Sequence, residues 1–96
     1  MTTKALRVEW DADKADINVR KHGVTFDEAV TALMDPLGLT VPDALHSEEE
    51  PRYVATGYSQ LQRLLVVIYT DRGDAVRIVS AREATRREQK AYEQYA

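Results

Sequence analysis

The sequence predicts an α+β domain in which an antiparallel β-meander packs against two N-terminal helices and a C-terminal helix. Three observations carry this reading. Two stretches of helical spacing near the N-terminus each have a start signal and a stop signal, Asp11 to Gly23 and Thr25 to Asp35-Pro36. Consecutive strand-like segments with short connections follow, which implies antiparallel neighbours. Thr85-Arg86-Arg87-Glu88 then forms a second capping box and opens a last helix. Ninety-six residues, 44% hydrophobic and 30% charged, suit a single domain over residues 1 to 96 with one core.

Leu6 to Trp10 alternates apolar and charged residues, as a short half-buried strand does. Asp11 or Asp13 caps a helix over about residues 12 to 22, with Ala15, Ile17 and Val19 as apolar positions, Lys14, Arg20 and Lys21 as the polar set, and Gly23 as the left-handed terminator. Thr25 and Glu28 form a capping box for a helix to about Met34, whose Phe26, Ala29, Val30 and Leu33 share a face. Gly38 to Val41 has strand character, and Pro42 marks it as an edge. Asp43 to Pro51 is a polar loop. Arg52 to Tyr58 alternates, Leu64 to Tyr69 is apolar throughout as a central strand is, and Ala75 to Ser80 follows the turn at Asp71-Arg72-Gly73-Asp74. Turns centred near Leu61-Gln62 and Arg72-Gly73 place Arg77 opposite Ile68 and Ile68 opposite Ala55, so that Ala55 and Gly57 share Arg77's face while Tyr58, Leu65, Tyr69 and Ile78 line the other.

Composition excludes several functions. No run approaches the roughly 18 apolar residues of a spanning helix, and the first seven residues lack the apolar centre of a secretion signal, so a cytoplasmic protein without a membrane partner is expected. Cysteine is absent, His22 and His46 make a poor zinc set, and adjacent Glu48, Glu49 and Glu50 rarely cage magnesium; no metal and no cofactor are expected. Net charge is −3, but residues 1 to 60 hold 6 basic and 11 acidic side chains and residues 61 to 96 hold 7 and 5. The basic charge is local, and it suits one phosphate tract beside an acidic surface for a basic partner.

That charge gathers where the last strand runs into the last helix. A helix start is partially positive, so a cation there costs roughly 0.3 to 1 kcal/mol. Arg82, Arg86 and Arg87 nevertheless surround it, and an arriving anion accounts for them. Arg77, Arg82 and Arg86 with Ser80 form a candidate phosphate site, which Arg63 joins from the neighbouring strand end; guanidinium forks suit a phosphoryl group that gains charge in its transition state. Ion pairing with carboxylates explains any single one of these arginines equally well. RNA cleavage without metal also needs a base and an acid. Candidates are His22, which a helix C-terminus also explains, and the segment of His46, Arg52 and Tyr53, where a tyrosine stacks on a base or packs in a core. The spacing does not choose between them, nor between a nuclease and a non-catalytic binding module that only holds nucleic acid or an acidic peptide.

Glu9-Trp10-Asp11, Lys14-Ala15, Asn18, Lys21-His22-Gly23-Val24, Phe26, Glu28-Ala29, Asp35-Pro36, His46-Ser47-Glu48, Arg52-Tyr53, Gly57, Ser59, Arg63 to Val67, Arg72-Gly73-Asp74, Arg77 to Arg82, Ala84-Thr85, Glu88 and Tyr92 together resemble the BrnT family, the toxin halves of type II toxin–antitoxin pairs. The resemblance implies a RelE-like ribonuclease fold, RNA cleavage that arrests translation, and neutralisation by a BrnA-type antitoxin through which any DNA contact is made. By position it places the basic site on Arg63, Arg77, Ser80 and Arg82, with His22, Arg52 and Tyr53 beside them.

Overall fold

A computed structural model describes residues 7 to 46 and 50 to 95. Leu6 and the acidic residues Glu48 and Glu49 of the predicted loop lie outside the described residues. The elements run β1 (Val8–Glu9), α1 (Ala12–His22), α2 (Phe26–Leu33), β2 (Leu39–Pro42), a single 3-10 turn (Ala44–His46), β3 (Arg52–Tyr58), β4 (Leu64–Asp71), β5 (Val76–Glu83) and α3 (Arg86–Tyr95). They form one five-stranded sheet in the order β1-β5-β4-β3-β2. Strands β2 to β5 make the predicted antiparallel meander, but β1 pairs parallel to β5, so the sheet is mixed. The chain between β1 and β5, almost the whole domain, is the crossover that lets the first strand lie parallel beside the last.

Local chemistry sets the helix ends. Asp11 accepts from Lys14 N–H at 3.1 Å, and Gly23 closes α1 at φ +67 with its N–H on the Val19 carbonyl. Thr25 accepts from Glu28 N–H at 3.0 Å and starts α2, while the Glu28 side chain turns away from the cap toward Arg63. At α3 the predicted box closes in both directions, Glu88 N–H on Thr85 Oγ1 at 3.2 Å and Thr85 N–H on Glu88 Oε1 at 2.8 Å.

The core lies between the sheet and α1–α2: Val24, Phe26, Ala29 and Ala32 pack on Leu65, Val67, Ile78 and Ala81, with Trp10 edge-on to Phe26 at 5.9 Å. Gly57 lets β3 approach α2, since a Cβ there meets the Ala32 carbonyl oxygen at 2.6 Å. The expected apolar face of α1 is corrected here. Ile17 and Val19 are exposed, and the buried residue is Asn18. Its amide donates to the Ala81 carbonyl at 2.7 Å and the Val24 carbonyl at 2.9 Å and accepts from Ala81 N–H at 3.0 Å. Because β1 covers only Val76 and Arg77, the rest of β5 is an uncovered edge, and Asn18 satisfies it as a neighbouring strand does.

The expected register is also corrected. Gly57 pairs with Leu65 and Asp71 with Val76, so the β3–β4 connection centres on Leu61 and the β4–β5 turn on Gly73-Asp74. Arg77 lies opposite Thr70 and Thr70 opposite Arg52, whereas Ile68 lies opposite Ser80 and Val54. Ala55 and Gly57 therefore belong to the helix-covered face with Leu65, Tyr69 and Ile78, and Tyr58 belongs to the other.

Candidate functional site

The register is interrupted between Ile68 and Tyr69, where Ile78 pairs with Tyr69 and Ser80 with Ile68, leaving Val79 as an extra residue. This bulge decides the site. Arg77 and Arg82 are an odd number of residues apart and, in a regular strand, point to opposite faces. The extra residue brings Arg77, Ser80 and Arg82 onto one face, the one opposite α1 and α2. Strand β5 continues to Glu83, past the expected end at Ser80, so Arg82, expected in the loop before Thr85, also stands on the strand.

The side chains on that face form rows across the strands. One row is Glu9, Arg77, Thr70 and Arg52; the next is Ser80, Ile68, Val54 and Val41; a third is Arg82, Val66, Thr56 and Leu39. Helix α3 lies toward the third row, where Glu88, Ala91, Tyr92 and Tyr95 line a cavity of about 180 Å³ with Leu39, Val54, Thr56 and Val66. Tyr92 fastens it, donating to the Leu37 carbonyl at 2.9 Å and meeting Tyr58 edge-on.

Arg77 and Arg82 each have an acidic neighbour. Arg77 Nε is 4.0 Å from Glu9 Oε1, and Glu9 is shared with Arg72, which also reaches Glu50. Arg82 forms a two-pronged pair with Glu88 that holds the Glu88 carboxyl down at about 2 and raises the guanidinium further. The first row keeps unmet hydrogen-bonding capacity. Among the described residues neither Thr70 Oγ1, in a residue only 7% exposed, nor Arg77 Nε has a hydrogen-bond partner. Leaving such a group buried and unpaired costs about 1 to 3 kcal/mol.

The other expected site residues divide. His22 ends α1 and, with Lys14, Lys21 and Val79, lines a pocket that includes Ser80, so it joins the margin of the face. Arg52 lies in the row itself. Arg63 does not join it: its guanidinium binds Glu28 with two nitrogens and donates to the Gly23 carbonyl at 3.1 Å, while Ser59 donates to the same carboxylate at 2.7 Å. Through this contact Glu28 raises the pKa of the Arg63 guanidinium and Arg63 lowers that of the Glu28 carboxyl. It is a strut between α1, α2 and β4. Tyr53 points to the helix side and stacks on Tyr69 at 5.4 Å, and Arg86 is exposed on α3. Two members were missed in the sequence. Thr70 gave no signal, because a threonine in an apolar strand reads as filler; Glu9 was readable only as a strand's polar position. His46 makes a contact that spacing did not reveal, its Nδ1 lying 3.0 Å from Asp43 Oδ2.

Together the fold and the face define a small α+β domain that carries guanidinium groups on the strands of one sheet face. The chain belongs to the ribonuclease toxin family BrnT of type II toxin–antitoxin systems, whose family model matches residues 10 to 88. The structure is similar to the 1.1 Å crystal structure of the Brucella abortus ribonuclease toxin BrnT, with a TM-score of 0.67 and 24% identity over 85% of this chain and 100% of that one. No curated protein matches the sequence. Among the described residues no helix is long and apolar enough to cross a membrane.

Proposed function

We propose that the chain is the toxin of a bacterial type II pair and cleaves RNA without metal on the face of Arg77, Thr70, Arg52, Ser80 and Arg82. The observation that carries the reading is the row itself, in which Thr70 lies between Arg77 and Arg52 and neither Thr70 Oγ1 nor Arg77 Nε has a hydrogen-bond partner among the described residues. A phosphodiester supplies the acceptors they lack. In the reaction a base takes the proton of a ribose 2′-hydroxyl, O2′ forms a bond to phosphorus, and the bond to O5′ breaks as an acid protonates the leaving oxygen. The strand-borne guanidinium groups neutralise the charge that gathers on the non-bridging oxygens, and Ser80 donates to one of them. The two margins supply proton carriers: His22 beside Ser80, and His46 held by Asp43.

The same reading extends to a RelE-like nuclease architecture, a cytoplasmic site of action with translation arrest as its outcome, and a BrnA-type antitoxin as partner, the acidic N-terminal half suiting a basic antitoxin segment. The purified chain is expected to cut single-stranded RNA in excess chelator, and Arg77→Ala is expected to abolish cutting while far-UV circular dichroism stays native. RNA binding with no strand scission, and no growth arrest on expression without antitoxin, turns the reading into that of a co-repressor module.

A further inference from the structure

Lys14, Ile17, Asn18 and Lys21 stand at spacings of three, four and seven on α1, which places them on one stripe of the helix. Asn18 pins that stripe against β5 through its hydrogen bonds to Ala81. Where the Val79 bulge pushes out, stripe and strand enclose a pocket of about 160 Å³ lined by Lys14, Ile17, Lys21, His22, Val79 and Ser80. Ser80 belongs to this pocket and to the arginine face, so the two are continuous.

The two lysines differ from the arginines that are paired around the sheet. Arg63, Arg72, Arg77 and Arg82 each lie near a carboxylate, whereas Lys14 and Lys21 are exposed and make no ion pair among the described residues. Of the acids of the helix, Asp16 falls on the far side, while Asp13, four residues before Ile17, flanks the stripe without pairing with either lysine among the described residues. Helix stability explains only Lys21, which sits in the last turn where cations are favoured. Lys14 occupies the third helical position, at the positive end of the dipole, where a cation is unfavourable.

We infer that this pocket is a second phosphate subsite, in which Lys14 and Lys21 hold the backbone of the RNA strand beside the nucleotide that lies on Ser80 and Arg77. The ammonium groups leave the helix two turns apart, about 10 Å along its axis, and so grip a stretch of backbone instead of one phosphate. Their contacts are to phosphate only, so the subsite adds affinity without base preference. It rests on the RNA-cleaving reading for the identity of the strand, and its test is independent of cutting.

The probe is a single-stranded decamer with 2′-O-methyl groups throughout, which binds but has no free 2′-hydroxyl to react. Wild type, Lys14→Gln/Lys21→Gln, the matching double arginine variant and Lys90→Gln are titrated from 50 to 200 mM salt. Each phosphate contact contributes about 0.7 to the slope of log K against log salt, so the double glutamine variant is expected to lose about 1.4 of slope and roughly tenfold in affinity. The arginine variant keeps the slope, and Lys90→Gln, an α3 charge away from the pocket, leaves it unchanged. A wild-type slope in the double glutamine variant overturns the subsite, as does an equal loss in Lys90→Gln or failure of the wild type to bind the probe at 50 mM salt. If the expected slope loss appears but the wild type cuts no natural RNA, the subsite stands and the nuclease reading falls.

Discussion

Arg82 and Glu88 clasp each other through two hydrogen bonds, Nη1 to Oε1 at 2.6 Å and Nη2 to Oε2 at 2.9 Å, and tie the end of β5 to the first turn of α3. The same carboxylate accepts from Thr85 N–H, so one side chain completes the helix cap and neutralises a candidate RNA-binding guanidinium. Glu88→Gln keeps an oxygen for the cap and removes the charge. Stability is expected to fall by about 1 to 2 kcal/mol in urea denaturation. RNA affinity is expected to rise, because Arg82 is released toward the face. Weaker RNA binding by a folded Glu88→Gln protein contradicts the placement of Arg82 on the RNA path.

Acid sensitivity follows from the same pair. Glu88 is held at about 2 against an ordinary 4.5, first by the Arg82 hydrogen bonds, and Glu28 is lowered by Arg63. A carboxyl group whose folded pKa is depressed stabilises the fold above its unfolded pKa and loses that contribution as pH falls through the folded value. Stability is therefore expected to be level from pH 7 to about 5.5 and to drop between about 4.5 and 2. Glu88 is 36% exposed, so solvent screening trims its share to about 1 kcal/mol. Denaturation midpoints measured across that window are expected to fall less steeply for Glu88→Gln than for the wild type.

The elements were legible because their signals are local. Asp11, Gly23, Thr25, Pro36 and the Thr85 box each act within a few residues, and the apolar run from Leu64 marks the central strand. The parallel β1 was not legible, since its partner Val76 is 68 positions away from Val8 and nothing in two short segments encodes the pairing. The face of Arg77 was missed for a related reason. A one-residue error at the β3–β4 connection exchanges Ala55 for Val54 beneath it, and the Val79 bulge leaves no mark in composition. Resemblance grouped Arg63 with Arg77; only tertiary contacts separate an arginine bound to a buried carboxylate from one on an open face.

Asn18 substitutes for a missing strand, so its removal is expected to be costly for one side chain. Asn18→Ala leaves the Ala81 N–H and carbonyl and the Val24 carbonyl without partners in a buried place. A loss of about 3 kcal/mol is expected in chemical denaturation, with faster amide exchange at Ala81. Native exchange at Ala81 in the variant shows that α1 does not cover that edge.

Gly57 is required by distance, not by backbone angle. An alanine Cβ there meets the Ala32 carbonyl oxygen at 2.6 Å and Asp35 Cβ at 3.2 Å, and a helix backbone cannot yield as a side-chain tip can. Gly57→Ala is expected to cost about 1 to 3 kcal/mol by forcing α2 off β3. An unchanged melting temperature contradicts the close approach.

Arg63 and Arg77 make the sharpest comparison, because one residue type does two jobs about one sheet. Arg63 is enclosed by Glu28, Gly23 and Ser59, and Arg63→Gln strands the Glu28 carboxylate, a residue 4% exposed. Breaking a buried pair from one side costs about 3 to 5 kcal/mol, so this variant is expected to melt early yet keep wild-type RNA cleavage per folded molecule at low temperature. Arg77 is 44% exposed and its one carboxylate neighbour stands at 4.0 Å, so Arg77→Ala is expected to leave stability within about 0.5 kcal/mol. Its cleavage rate is expected to fall by a hundredfold or more, as when one donor to a developing anion is removed. Arg77→Lys restores the charge but not the two-oxygen fork, and is expected to recover only part of the rate. Rates measured under single-turnover conditions on one RNA oligonucleotide, with unfolding curves on the same preparations, separate the two roles. An Arg63→Gln protein that is fully folded but inactive returns Arg63 to the reacting phosphate and removes the distinction.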